Sequence, residues 1–164
     1  MIRVLDILED TMVDGPGFRT SIYCAGCCHQ CPGCHNPHSW AFDAGREMTT
    51  ESLLKVIMAD PFANVTFSGG DPMYQAAGFA ELARAIHANT NKDIWCYTGF
   101  VYESLIQEDQ RELLRQLDVL VDGPFIQRMQ DPDLPFRGSS NQRLIDVQKT
   151  LYAGEVVLWQ PPIR

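Results

Sequence analysis

The stretch Asn64-Val65-Thr66-Phe67-Ser68-Gly69-Gly70-Asp71-Pro72, with a helical pattern over Ala76–Ala88 directly behind it, decides the fold class. Val, Thr and Phe suit a pleated strand over Asn64–Phe67, and Gly-Gly-Asp-Pro punctuates its end. Phe79, Leu82, Ala83 and Ile86 then follow i, i+3, i+4, i+7 spacing, the apolar face of a helix. The same order of strand, loop and helix recurs on both sides. Arg19–Tyr23 reads as a strand running into a cysteine-rich loop, and Thr49–Met58 as a helix with Thr49 at its N-cap. Asp93–Tyr97 reads as a strand ending in Thr98-Gly99. Tyr102–Leu117 reads as a helix with Ile106, Gln110, Leu113 and Leu117 in register. Asp118–Val121 reads as a strand ending in Asp122-Gly123-Pro124, and Arg143–Val147 and Glu155–Trp159 are candidate late strands.

This alternation predicts parallel β/α units joined by right-handed crossovers. A chain of 164 residues holds about four to six such units, fewer than a closed eight-fold barrel needs. The expected fold is therefore α/β, a partial, open (β/α) barrel. No repeat or linker interrupts the chain, so one domain over residues 1–164 is expected. In parallel β/α folds the carboxyl ends of the strands form the ligand face. The cysteine loop, Ser68–Asp71, Thr98-Gly99 and Asp122-Gly123 all follow predicted strands, so they should converge on one site.

Composition narrows the function classes. Hydrophobic residues make up 45% and the formal net charge is −8, which excludes a disordered chain and a basic nucleic-acid or anionic-membrane surface. Met1-Ile2-Arg3-Val4-Leu5-Asp6 breaks with charge at once, unlike a signal peptide, and no apolar run is long enough for a membrane span. The expectation is a cytoplasmic protein without nucleic-acid or membrane partners, in which clustered cysteines serve metal or redox chemistry.

Five of the six cysteines, Cys24, Cys27, Cys28, Cys31 and Cys34, fall within eleven residues, too close for a disulfide framework. Three metal readings compete. Cys24-x2-Cys27 with Cys31-x2-Cys34 resembles zinc knuckles, whose halves are usually a dozen or more residues apart; a zinc-binding interaction module is the alternative from outside the enzymes. Cys31-Pro32-Gly33-Cys34-His35 matches the haem attachment pattern, which needs an exported protein. Cys27-x3-Cys31-x2-Cys34 suits an iron–sulfur cluster, whose irons lie close together, and three thiolates on four irons leave one position open. Cys24 and Cys28 read as packing or bystander thiols, Cys96 as a core thiol, and His29, His35 and His38 as polar loop residues.

With the other strand-end motifs, the chain resembles the radical S-adenosylmethionine enzymes. It looks most like the activating proteins of glycyl-radical enzymes, above all those serving anaerobic (class III) ribonucleoside-triphosphate reductases. The carrying residues are Asp14-Gly15-Pro16-Gly17-Phe18-Arg19-Thr20, the Cys27/Cys31/Cys34 triad with His35-Asn36, Ser68–Pro72, Asp93–Gly99, Val119–Gly123 and Arg137-Gly138-Ser139-Ser140-Asn141-Gln142. Asp71 stands where many relatives of the wider superfamily carry Glu.

The resemblance implies a 4Fe–4S cluster on Cys27, Cys31 and Cys34, with S-adenosylmethionine chelated at the open iron, and no catalytic side chain beyond the ligands. Around the cofactor, Gly33, Cys34 and His35 would line the adenine. Gly69 and Gly70 would allow close backbone approach, Asp71 would accept from the methionine ammonium, and Thr98 and Asp122 would bond the ribose hydroxyls or the ammonium; a plain tight turn is the alternative for the glycine pair, and helix capping at a β/α junction for Thr98 and Asp122. It also implies the reductase, through a glycine loop, as protein substrate and a flavodoxin or ferredoxin as electron donor. An activator of a formate-lyase type enzyme is the alternative. Arg137–Asn141 is a candidate docking segment or a plain polar loop.

Overall fold

The computed structural model describes residues 1–163. A seven-stranded mixed sheet runs through it in the order β3-β1-β2-β4-β5-β6-β7. Its strands are β1 (Ile2–Thr11), β2 (Arg19–Cys24), β3 (Arg46–Met48), β4 (Asn64–Gly69), β5 (Ile94–Tyr97), β6 (Val119–Asp122) and β7 (Arg143–Asp146). The central four, β2, β4, β5 and β6, pair in parallel, with Arg19 opposite Asn64, Val65 opposite Ile94 and Trp95 opposite Val119. Helices α1 (Thr50–Ala59), α2 (Ala76–Asn89) and α3 (Glu108–Gln116) form the crossovers between them, and α4 (Val147–Ala153) follows β7.

Period-two alternation divides the sheet into two unlike faces. On one face Ile22, Val65, Phe67, Ile94, Cys96 and Leu120 are wholly buried against Leu53 and Ile57 of α1, Phe79, Leu82 and Ile86 of α2, and Leu113 of α3. The Phe67 and Phe79 rings lie 4.6 Å apart. The other face carries Trp95, Val119 and Val121, packed against Tyr97, Phe136, Leu144 and Trp159.

Arg19 is buried on that second face. Its Nε donates to Thr66 Oγ1 (2.7 Å), one terminal nitrogen to Pro16 O (3.1 Å), and the other to Val65 O (2.7 Å) and the Asp93 carboxylate. Its guanidinium lies over the Trp95 ring.

The structure departs from the sequence reading in five places, the short strand β3, which no pattern announced, being one. The Tyr102–Leu117 segment is broken. A 3-10 turn over Tyr102–Ser104 precedes α3, whose start is fixed by a reciprocal capping box between Gln107 and Gln110. Gln110 stands on the apolar face because it caps, and Ile106 is left exposed outside the helix. Arg143–Asp146 is a strand but runs antiparallel to β6, so three crossovers join four parallel strands. Glu155–Trp159 contributes only the isolated bridge of Leu158 to Ile145. Strand β1 was hidden by its charges: Ile2 and Val4 are buried, whereas Asp6, Glu9 and Asp10 sit on exposed positions. Thr49 caps α1 as expected, accepting from Ser52 N (3.0 Å). Among the described residues no helix is long and apolar enough to cross a membrane.

Candidate functional site

The carboxyl ends of the four parallel strands are tied together by backbone hydrogen bonds. Gly70 N donates to Cys24 O (2.7 Å), Asp71 N to Gly26 O (2.8 Å), Thr98 N to Val121 O (2.9 Å) and Gly123 N to Phe100 O (2.8 Å). The glycine pair is required by this contact: a Cβ on Gly70 would meet Gly26 O at 2.5 Å, and Gly69 sits at φ 101° against the Cys24 backbone. Its close approach is made to the cysteine loop.

Asp71 is fully buried. One carboxylate oxygen accepts from Met73 N (3.0 Å). The other accepts from Thr98 Oγ1 and Gly99 N (both 2.9 Å), with His29 Nε2 at 2.7 Å. Four donors therefore commit this carboxylate to holding the strand ends, and they commit the Thr98 hydroxyl with it. Asp122 is equally committed: it accepts from Tyr102 N (2.8 Å) and pairs with Arg143 (2.6 and 3.0 Å), which reaches on to Glu103.

Beside these tied ends opens a cavity of about 800 Å³. Cys31, Cys34 and His35 line one side and Ser68 and Gly69 the floor; Asp14, Tyr23 and Tyr97 complete the strand wall. Gly70, Asp71, Thr98 and Asp122 lie outside this lining and support it from behind. The Asp14 carboxylate accepts from Ser21 Oγ (3.0 Å) and Tyr23 Oη. Burial, and the neighbouring carboxylate after it, push the Tyr23 phenol up. Burial does the same to Tyr97, whose hydroxyl donates to Phe136 O (2.6 Å).

The outer wall is the segment from Pro124 to Gln142. Gln142 Oε1 accepts from Gly138 N (2.9 Å) and Ser139 N (3.2 Å), its amide nitrogen donates to Gly123 O (3.1 Å), and Arg137 donates to its carbonyl (2.6 Å). Phe125 packs edge-on against His35, with centroids 5.3 Å apart. Gln127 rests on Gly33, where a Cβ would meet its amide at 3.0 Å. Arg137-Gly138-Ser139-Ser140-Asn141 is thus a braced wall of the cavity, folded by the amides around it. Sequence reading gave no role to Asp14, Tyr23, Tyr97, Phe125 or Phe136. The available signal was the placing of Tyr23 and Tyr97 in alternation with buried residues at strand ends.

The six thiols are free. Cys24 and Cys96 are buried in the helix-side core, where desolvation pushes both thiols up. Cys28 is exposed, while Cys27, Cys31 and Cys34 are half-buried. Burial pushes the Cys27 thiol up to about 11, against the opposing pull of the His29 and Gln30 backbone N–H groups. Asn36 N donates to Cys34 Sγ (3.4 Å). Among the described residues no three His, Cys, Asp or Glu side chains are gathered around one ion. Ligands of a polynuclear cluster need not be, since each thiolate meets its own iron. The chemistry of three soft, unpaired thiols, with backbone amides aimed at the sulfurs of Cys27 and Cys34, fits such a cluster.

Residues 13–145 match the family described as a 4Fe-4S single cluster domain. The anaerobic ribonucleoside-triphosphate reductase-activating protein of Vibrio cholerae is 41% identical over 140 residues, 80% of this chain and 89% of that protein. The protein of the same name from Escherichia coli K12 is 36% identical over 140 residues (80% and 90%), and that of Enterobacteria phage T4 33% over 138 (80% and 86%). Among solved structures, QueE from Escherichia coli shares the fold, with a TM-score of 0.51 at 16% identity over 74% of this chain and 69% of that one. The cysteine loop and all four tied strand ends fall inside the matched region, and the chain belongs to the 4Fe-4S single cluster domain family, in the group of the anaerobic ribonucleoside-triphosphate reductase-activating proteins.

Proposed function

We propose that this chain is a radical S-adenosylmethionine activase that generates a glycyl radical on an anaerobic ribonucleoside-triphosphate reductase, working in the cytoplasm with a flavodoxin or ferredoxin as electron donor. The observation that carries the reading is a loop of three thiols, two of which, Cys31 and Cys34, line a large cavity at the carboxyl ends of parallel strands. Cys27, Cys31 and Cys34 would hold the 4Fe–4S cluster. When bound, the cluster would supply one-electron reduction, with the electron passed on from the donor, for the cleavage of S-adenosylmethionine that precedes hydrogen-atom removal from a glycine Cα.

The chain's own residues bind, orient and exclude water. Gly33, Cys34, His35 and Gly69 present backbone and ring edges to the cofactor. Gly70, Asp71, Thr98 and Asp122 act one layer back: with their side-chain oxygens committed and the Gly70 backbone pressed to the cysteine loop, they fix the strand ends on which the cofactor rests. Phe125, Leu134 and Phe136 make an apolar outer wall, which lowers the local dielectric and keeps water from a reactive intermediate. Residues 1–164 work as one activase domain. The sheet serves as a partial barrel left open for the partner's glycine loop, with Arg137–Asn141 at its entrance.

The test is anaerobic reconstitution with iron and sulfide, followed by electron paramagnetic resonance of the reduced protein with and without S-adenosylmethionine. A cluster signal that changes on adding the cofactor, release of equal amounts of methionine and 5′-deoxyadenosine, and a glycyl radical on the anaerobic reductase are expected. Cys27→Ala, Cys31→Ala and Cys34→Ala each abolish them. A radical on a formate-lyase type enzyme but not on the reductase overturns the partner, and a colourless protein with one bound zinc overturns the whole reading.

A further inference from the structure

His29 stands in the middle of Cys27-x3-Cys31, where sequence reading gave it no task. Its ring turns inward, with only 16% of the side chain exposed, and places Nε2 2.7 Å from the buried Asp71 carboxylate. The same oxygen already accepts from Thr98 Oγ1 and Gly99 N, so His29 approaches it as an N–H donor. The ring is held edge-on by Phe100, with centroids 4.6 Å apart, and lies 5.7 Å from Tyr74. Gly99 makes room for it: a Cβ there would meet ring carbons at 2.5 and 2.8 Å. Just beyond His29, Gln30 takes a left-handed φ of 49°, a turn that sends the chain back toward Cys31. A short side chain at residue 29 would leave the first half of the loop held by the Gly26 and Cys27 amides and by the Tyr74 hydroxyl beside Cys28.

We infer that His29 is a positioning residue, a latch that fixes the separation of Cys27 from Cys31 by tying the loop between them to the ends of β4 and β5. The inference rests on the cluster reading above, but it concerns a residue that is no ligand. A charge-assisted hydrogen bond in a half-buried site changes a local opening equilibrium by about tenfold, and cluster loss through an opened loop should follow that equilibrium.

The experiment uses the full chain, reconstituted anaerobically, as wild type, His29→Ala, His29→Gln and Gly99→Ala. It reads iron and sulfide per chain, the line shape of the reduced cluster, and the rate at which a chelator strips iron, with far-UV circular dichroism melting of each apoprotein as the folding control. Glutamine's amide nitrogen lies at the same reach as His Nε2 and donates to the same oxygen. His29→Ala and Gly99→Ala are expected to lose iron about tenfold faster and to shift the line shape, while His29→Gln returns close to wild type. If His29→Ala also melts lower, the decision passes to the other two: rescue by His29→Gln alongside loss in Gly99→Ala supports the latch. Wild-type line shape and iron loss in either His29→Ala or Gly99→Ala overturn it, as does a failure of His29→Gln to rescue. A wild-type chain that takes up no cluster overturns the cluster reading instead.

Discussion

The two faces of the central sheet are built from the same four strands and obey different chemistry. On the helix side, Ile22, Phe67, Cys96 and Leu120 join the residues of three helices in one apolar cluster. On the cavity side, Arg19, Ser21, Tyr23, Thr66 and Tyr97 alternate with them in the same strands, each polar head carrying a named partner. The helix side gains its stability from apolar area removed from water. The cavity side gives up much of that for directional bonds, which fix where Asp14, Ser68 and the outer wall stand around an open space. The proposed site lies on the face where directional bonds are added to burial.

Substitutions can break or sharpen this contrast. Phe67→Ala removes a fully buried ring from the helix side and should cost about 4 kcal/mol, read as a lower urea midpoint with unchanged slope. Arg19→Met tests the opposite face. It fills much of the same volume but takes the guanidinium donors from Val65 O, Pro16 O and Thr66 Oγ1, the last of which still donates to Asp14 O, and leaves Asp93, 42% exposed, to water. A loss of about 3 kcal/mol is expected; a stability equal to wild type would mean that this face, too, is held by apolar contact. Tyr97→Phe deletes one hydroxyl and should cost about 1 kcal/mol, with faster amide exchange confined to residues 125–142.

Glu103→Gln is the smallest change. The Glu103–Arg143 pair is exposed on the Glu103 side, so screening holds its worth below about 1 kcal/mol. The Arg143 guanidinium holds the Glu103 carboxyl below its ordinary value. Its contribution is therefore present above the usual glutamate range and lost as pH falls through the lowered value. Denaturation of wild type and variant should differ slightly at neutral pH and converge in acid.

How much of this was legible in the sequence depends on the range of the interaction that decides each feature. Strands β2, β4, β5 and β6 and helices α1 and α2 were readable because alternation and 3.6-residue spacing are local. The break before α3 was not, since Ile106 continues the apolar period and only the capping role of Gln110 and the Asp122 bond to Tyr102 N interrupt it. Strand β1 was missed because charges on its open side masked the buried Ile2 and Val4. The convergence of four motifs followed from strand-end logic, but the tasks of Asp71, Thr98 and Asp122 did not. Read as ligand groups or, for Thr98 and Asp122, as caps, they are engaged with protein donors.

By itself, the sequence determined the α/β class, the order of the strand-end motifs and the Cys27, Cys31, Cys34 spacing, because each is written in residues a few positions apart. Only the tertiary structure decided which side chains face the cavity, that Asp71 is a buried junction and that His29 reaches it. The Asp71 junction and its His29 contact depend on partners 27 to 42 residues apart in the chain. Their contact depends on strand register and on the room that Gly70 and Gly99 leave for close approach, quantities set by packing and carried by no local pattern.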